Sequence, residues 1–257
     1  MIIELQPSVM AEIVLDGRLS ALPRWGLKYL SLMVGPFSNG NEHERYYLET
    51  VGSGDTFRSA YDEFRFNQES LELMSVWFHV PEENLASGEL LDGWRVRQPV
   101  SGTLRLRSPL TFLAEPTTMR WMESDGKFLA GVHDRVLDQA EEYLRLCIAQ
   151  DLDLLIADNK LCGWMLSNPT RYLVDLWEEP DQSEPEAELG SMVAEFLAVV
   201  HKRQLRRLME KDPALLAALT ALRARLGHNQ GHRTQCTVFR EAIDDVIERF
   251  YGQTPSS

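Results

Sequence analysis

Residues 152–177, LDLLIADNKLCGWMLSNPTRYLVDLW, narrow the folds open to this chain more than any other segment. Leu152, Leu154, Leu155 and Ile156 make a short apolar run, Asp158-Asn159-Lys160 interrupts it, and a second run follows over 161–166. Asn and Asp tolerate the positive φ of a tight turn, so the pattern predicts a buried β-hairpin. Asn168-Pro169 then predicts a helix start, with Asn168 capping and Pro169 at the first helical position, where its missing N–H costs nothing. Within the hairpin, Cys162-Gly163-Trp164 reads as packing, small residues letting a tryptophan sit between sheet and helix.

The chain before the hairpin reads mainly as strands. Residues 2–5, 13–15, 27–34, 45–51 and 71–80 are apolar or alternating runs separated by turn chemistry such as Asp16-Gly17, Gly35-Pro36 and the 67–70 segment. Leu104 and Leu106 alternate with Arg105 and Arg107, the period of a half-buried strand. Ser124-Asp125-Gly126 between 119–123 and 127–132 is the strongest short hairpin signal in the chain. From Asp134 the period lengthens: Val136, Leu137, Ala140, Leu144, Cys147 and Ile148 recur at three- and four-residue intervals, which predicts an amphipathic helix covering one face of the sheet.

Residues 175–188 are acidic and contain Pro180 and Pro185 but no Lys or Arg. Like-charge repulsion and proline disfavour regular structure there, so a connector is expected at 179–190. Three helices are expected over 191–251: one over 192–209, a second begun by Asp212-Pro213 with Leu215, Leu219, Leu222 and Leu226, and a third carrying Phe239, Ile243, Val246 and Phe250. The tail 252–257 is expected to be disordered. The expected fold class is therefore α+β: an antiparallel β-rich part over 1–178 with a covering helix, then a C-terminal helical bundle.

Charge bears on partners. With 26 Lys and Arg against 39 Asp and Glu the net charge is -13, which repels phosphate backbones and points away from nucleic acid and towards a basic protein. Three cysteines without a C-x-x-C pair imply no disulfide framework, as in a reducing compartment. The N-terminal residues carry early acids and no basic region, and no run of 18 apolar residues occurs, so a cytoplasmic protein without a membrane role is expected.

Few residues suggest chemistry. His228, His232 and Cys236 are spaced by four, which on a continuous helix would present one face to a metal such as zinc; but Gly227 and Gly231 interrupt that segment, only three ligands are local, and a polar loop between two helices explains the same residues without a metal. Cys162 lies among packing residues, which disfavours a thiolate. Gly52-Ser53-Gly54 lacks both the third glycine of a dinucleotide loop and the Gly-Lys-Ser/Thr of a P-loop, so no cofactor is expected. Six tryptophans exceed what a core of this size needs, and Trp25, Trp77 and Trp94 are the candidate partner-binding residues. Together these point to a non-enzymatic protein-interaction role, as of an immunity protein that neutralises a basic partner. The competing readings are an enzyme with a pocket between the β-rich and helical parts, and a sensor that dimerises through its helices.

Overall fold

The computed structural model describes residues 1–54, 62–134, 140–181, 183–185, 188–226 and 233–252. In chain order the elements are β1 (Ile2–Gln6), β2 (Val9–Leu15), β3 (Arg24–Gly26), β4 (Ser31–Val34), α1 (Gly40–Leu48), β5 (Thr50–Ser53), β6 (Glu63–Asn67), β7 (Leu73–His79) and β8 (Glu83–Asn84). Then come α2 (Asp92–Arg95), β9 (Val100–Leu106), β10 (Thr111–Phe112), β11 (Met119–Met122), β12 (Phe128–Val132), β13 (Tyr143–Ala149), β14 (Leu152–Ala157) and β15 (Lys160–Ser167). Four helices follow: α3 (Leu189–Val199), α4 (Leu205–Met209), α5 (Pro213–Leu226) and α6 (Arg233–Tyr251).

The 152–166 hairpin forms as its turn chemistry dictates. Asp158 and Asn159 sit at φ 46° and 61°, the paired positive angles of a type I′ turn, and β14 pairs antiparallel with β15. The Ser124-Asp125-Gly126 turn likewise joins β11 to β12, with Gly126 at φ 77°. Asn67 turns the chain between β6 and β7 by accepting the backbone N–H groups of Glu69 and Ser70, each at 2.8 Å. After β15, Asn168 is itself left-handed and makes no side-chain cap, so Pro169 begins only a short 3-10 turn, Pro169–Tyr172.

Two sheets result. The larger runs β1-β2-β9-β13-β14-β15-β12-β11-β8, and β1 also pairs in parallel with β15 through Glu4 and Lys160, which closes six of its strands into a ring. The smaller runs β10-β5-β6-β7-β4-β3. Parallel pairings occur in both, so the sheets are mixed and not purely antiparallel as expected. One apolar cluster, from Ile3 and Leu104 through Phe66 and Phe78 to Phe196 and Phe239, joins both sheets and the helices. A second, with Leu91, Trp94, Leu155, Cys162 and Met165, lies on the other face of the larger sheet.

Three expectations are corrected. The covering helix from Asp134 does not form over its second half: residues 143–149 are strand β13, and 135–139 lie outside the described residues. Leu144, Leu146 and Ile148 alternate on its inner face, while Arg145 and Cys147 occupy the other, where Arg145 reaches Asp153 at 2.5 Å with both side chains buried. The outer face is covered instead by the short 88–95 segment, whose Leu91 and Trp94 are buried. Residues 45–51, read as a strand, fall mostly in α1, which Asn39 caps by accepting from the Glu42 N–H at 3.0 Å. The single helix expected over 192–209 is broken into α3 and α4, because His201 takes an extended conformation between them.

The chain is thus α+β, with the helices α3–α6 following the last strand. Asp212 accepts from the Ala214 N–H at 2.8 Å and starts α5 as its sequence suggests. Among the described residues no helix is long and apolar enough to cross a membrane.

Candidate functional site

β15 is shared by three neighbours. Its first residue pairs with β1 on one edge, while residues from Gly163 onward pair with β12 on that same edge. The two partners must diverge, and a cavity of about 510 Å³ opens at the fork. Its wall is Glu4, Leu5 and Gln6 of β1 on one side and Lys160, Leu161 and Trp164 of β15 on the other. The smaller sheet supplies Phe64 and Phe78, and the 114–117 segment, His133 and Ala157 complete the lining. This volume lies within the range of small-molecule sites.

Asp62 is the most unusual group in it. The residue is 3% exposed, yet no cation pairs with it among the described residues. Its Oδ1 accepts the His79 N–H at 2.8 Å, its own N–H donates to the Ala114 carbonyl at 3.1 Å, and its carbonyl accepts the Ser53 hydroxyl at 2.9 Å. One carboxylate residue therefore ties together β5, β7 and the segment before β11. Burial pushes its carboxyl well above the usual carboxylate range, against the His79 and Thr117 backbone N–H groups that draw it down. A protonated carboxyl in a cavity wall can donate as well as accept.

Trp164 is the second. It is 1% exposed and stacks on Phe78 with ring centroids 5.9 Å apart and planes 10° apart. Among the described residues its indole N–H has no hydrogen-bond partner. A buried donor without an acceptor costs about 1–3 kcal/mol, and a buried tryptophan ordinarily satisfies it. Trp94 does so, donating to the Ile156 carbonyl at 2.8 Å, whereas the Trp25 indole N–H, away from the cavity lining, is also without a partner among the described residues. Around the mouth stand three carboxylates, Glu4, Glu115 and Asp158, against one ammonium, Lys160. Asp158 is partly spoken for, since its Oδ1 accepts the N–H groups of Glu141 and Glu142.

The residues singled out from sequence lie elsewhere. Trp25 is 0% and Trp94 1% exposed, so both are core packing and cannot meet a partner while the chain is folded. Trp77 differs: it is half-buried and belongs to an aromatic group around His43 of α1. The His43 ring lies 4.9 Å from Trp77 and 4.7 Å from Phe37, Trp77 lies 5.5 Å from Trp177, and His43 Nε2 sits 3.0 Å from Glu63 Oε2. His228 and His232 fall outside the described residues, and Cys236 is buried in α6. Among the described residues no group of three or more His, Cys, Asp or Glu is placed to hold a metal. Burial pushes the Cys162 thiol up to about 12, consistent with a packing role.

Sequence reasoning passed over Asp62 and took Trp164 for packing alone. No local signal marks either. Asp62 acquires its character from β7 and the 114–117 segment, which are distant in sequence, and the Trp164 indole is orphaned by which neighbours the fold brings to it.

Fold and site together define an α+β protein with a closed six-stranded ring and a ligand-sized cavity where the ring wall forks. Comparison with protein-family models, curated proteins and solved structures gives no match to this chain.

Proposed function

We propose that this protein binds a small molecule in the fork cavity, and that the ligand is neutral or cationic with a flat apolar body and a hydrogen-bond acceptor. The observation that carries this is a cavity of about 510 Å³ with the Trp164 ring in its wall, whose buried indole N–H has no partner among the described residues. An acceptor on the ligand would satisfy that donor, the Phe78 and Trp164 rings offer flat apolar surface, and the acidic mouth repels anions. The enzyme alternative keeps the same cavity, with Asp62 as the acid, and moves it from the β/helix junction expected from sequence to the space between the sheets. The test is thermal denaturation with nicotinamide and 4-quinazolinone, both flat, neutral and acceptor-bearing, on the wild type and on Ala114→Phe, which fills the cavity. A concentration-dependent rise in midpoint for the wild type alone supports the reading. Equal responses of the two proteins, or none, overturn it.

A second reading is favoured by the half-buried pair Trp77 and Trp177 beside the acidic 175–188 segment. Aromatic anchors flanked by carboxylates suit a basic protein partner, the immunity-type role expected from sequence. Nucleic acid remains outside it, given the net charge of -13. A basic protein retained from lysate at low salt by the wild type but not by Trp77→Ala supports this reading. Identical retention by both proteins sinks it.

A further inference from the structure

Four arginines are buried in the sheets: Arg145 pairs with Asp153, and Arg24 and Arg65 are met mainly by backbone carbonyls. Arg24 donates to the carbonyls of Phe37, Gly35 and Trp177. Arg65 donates to the Ser53, Tyr47 and Thr50 carbonyls and to the Thr50 hydroxyl. Arg120 of β11 is different. It is 1% exposed; its Nε donates to Asn84 Oδ1 at 2.7 Å and its Nη2 to the Leu197 and Val200 carbonyls at 3.0 Å each, which pins the end of α3 to the sheet. Its Nη1, with two N–H donors, has no partner among the described residues.

Nor does a carboxylate form an ion pair with Arg120 among the described residues. Glu82 acts on it through space but is exposed, and burial lowers the guanidinium to about 10. The backbone carbonyls at the end of α3 offset part of the charge. A net positive group held away from water still calls for an anion. Space lies next to the guanidinium: Arg120 is among the residues lining a cavity of about 170 Å³, with Asn84, Trp121, Leu197 and Ala194, and an anion there would meet the buried Nη1 after a small shift of the side chains between them. At ~30 Å³ per water that is room for several waters or for a carboxylate of a few heavy atoms.

We propose that Arg120 binds a compact monovalent anion, a carboxylate or a chloride ion, in this cavity between β11 and α3. The site is separate from the fork cavity: none of its lining residues is shared with it. The protein's negative charge weakens long-range attraction, but a desolvated guanidinium acts at contact, where the low dielectric strengthens the pair. Because the anion would bind the folded chain and not the unfolded one, occupancy stabilises by mass action.

The experiment compares the full-length wild type with Ala194→Leu, which fills the cavity from α3 and leaves Arg120 and its three bonds in place. Thermal midpoints are followed in sodium acetate and, separately, in sodium chloride, up to a few hundred millimolar, roughly where screening is nearly complete. Screening and general salt effects are common to both proteins, so the difference between them reads the site. A saturating rise with acetate, chloride or both, present in the wild type and absent from Ala194→Leu, is the expected result. Parallel curves for both anions overturn the proposal. Arg120→Gln should lose the response as well; should it fail to fold, chloride-35 line broadening by the wild type, displaced by acetate and absent from Ala194→Leu, gives the same decision.

Discussion

Burial raises the Asp62 carboxyl above its unfolded value, and that difference gives stability a pH dependence with a definite sign. Its folded value lies above the ordinary 3.8, so the native state binds more protons between the two values. The stability it contributes is fully present below the unfolded value and is lost as pH rises through the folded one. Asp62→Asn keeps the shape and removes the titration. Urea midpoints from about pH 4 to 8 should therefore fall for the wild type relative to the variant, and parallel curves would contradict the assignment. Gly163 makes a sharper steric claim: a Cβ there would meet the Gly131 carbonyl oxygen at 2.0 Å, in the pairing of β15 with β12. Gly163→Ala should cost about 1–3 kcal/mol or more through overpacking, measured by chemical denaturation. The packing role of Gly163 was legible in its neighbours Cys162 and Trp164, whereas the identity of the obstructing atom, a carbonyl 32 positions earlier, was not.

At the scale of elements, β13 rests on a buried ion pair. Arg145 donates through Nε and Nη2 to the same Asp153 oxygen, at 2.8 and 2.5 Å, across the β13–β14 pairing. Asp153→Ala would leave a guanidinium buried without its partner and should destabilise by about 3–5 kcal/mol, whereas Arg145→Met with Asp153→Leu together should recover most of that loss. A double-mutant cycle with no coupling would refute the pairing. The helix reading follows Val136, Leu137, Ala140, Leu144 and Cys147 at three- and four-residue spacing and passes over Leu146. The strand's own signal is the alternation of Leu144, Leu146 and Ile148 on its inner face, with Arg145 and Cys147 on the other. α1 was missed for the opposite reason. None of its residues is buried, so it has no apolar stripe to read. Its one signal was the cap: Asn39 three residues before Glu42, whose Oε2 reaches back to accept the Ser38 N–H at 2.7 Å. The hairpins were legible because their turns are local, and α5 because Asp212, Pro213 and four leucines all agree.

Across the whole molecule, the cavity is a product of topology. It exists because β1, from the first residues of the chain, and β12, from its middle, share one edge of β15. Nothing in a local window reports such a pairing, so the expected pocket was put between the sheet and the helices, where the acidic connector seemed to mark a seam. The tryptophans teach the same lesson. Their number suggested surface anchors, but Trp25, Trp94 and Trp164 pack between layers that composition cannot reveal. The central claim is that the Trp164 N–H awaits an acceptor from a bound molecule, and its indole 15N–1H resonance, assigned by its loss in Trp164→Phe, tests that most directly. Titration with nicotinamide and 4-quinazolinone should move this resonance downfield in a saturable way, with the Trp94 resonance, already bonded to Ile156, unmoved. A Trp164 resonance that stays in place with both compounds at millimolar concentration, or that moves equally in Ala114→Phe, would contradict it.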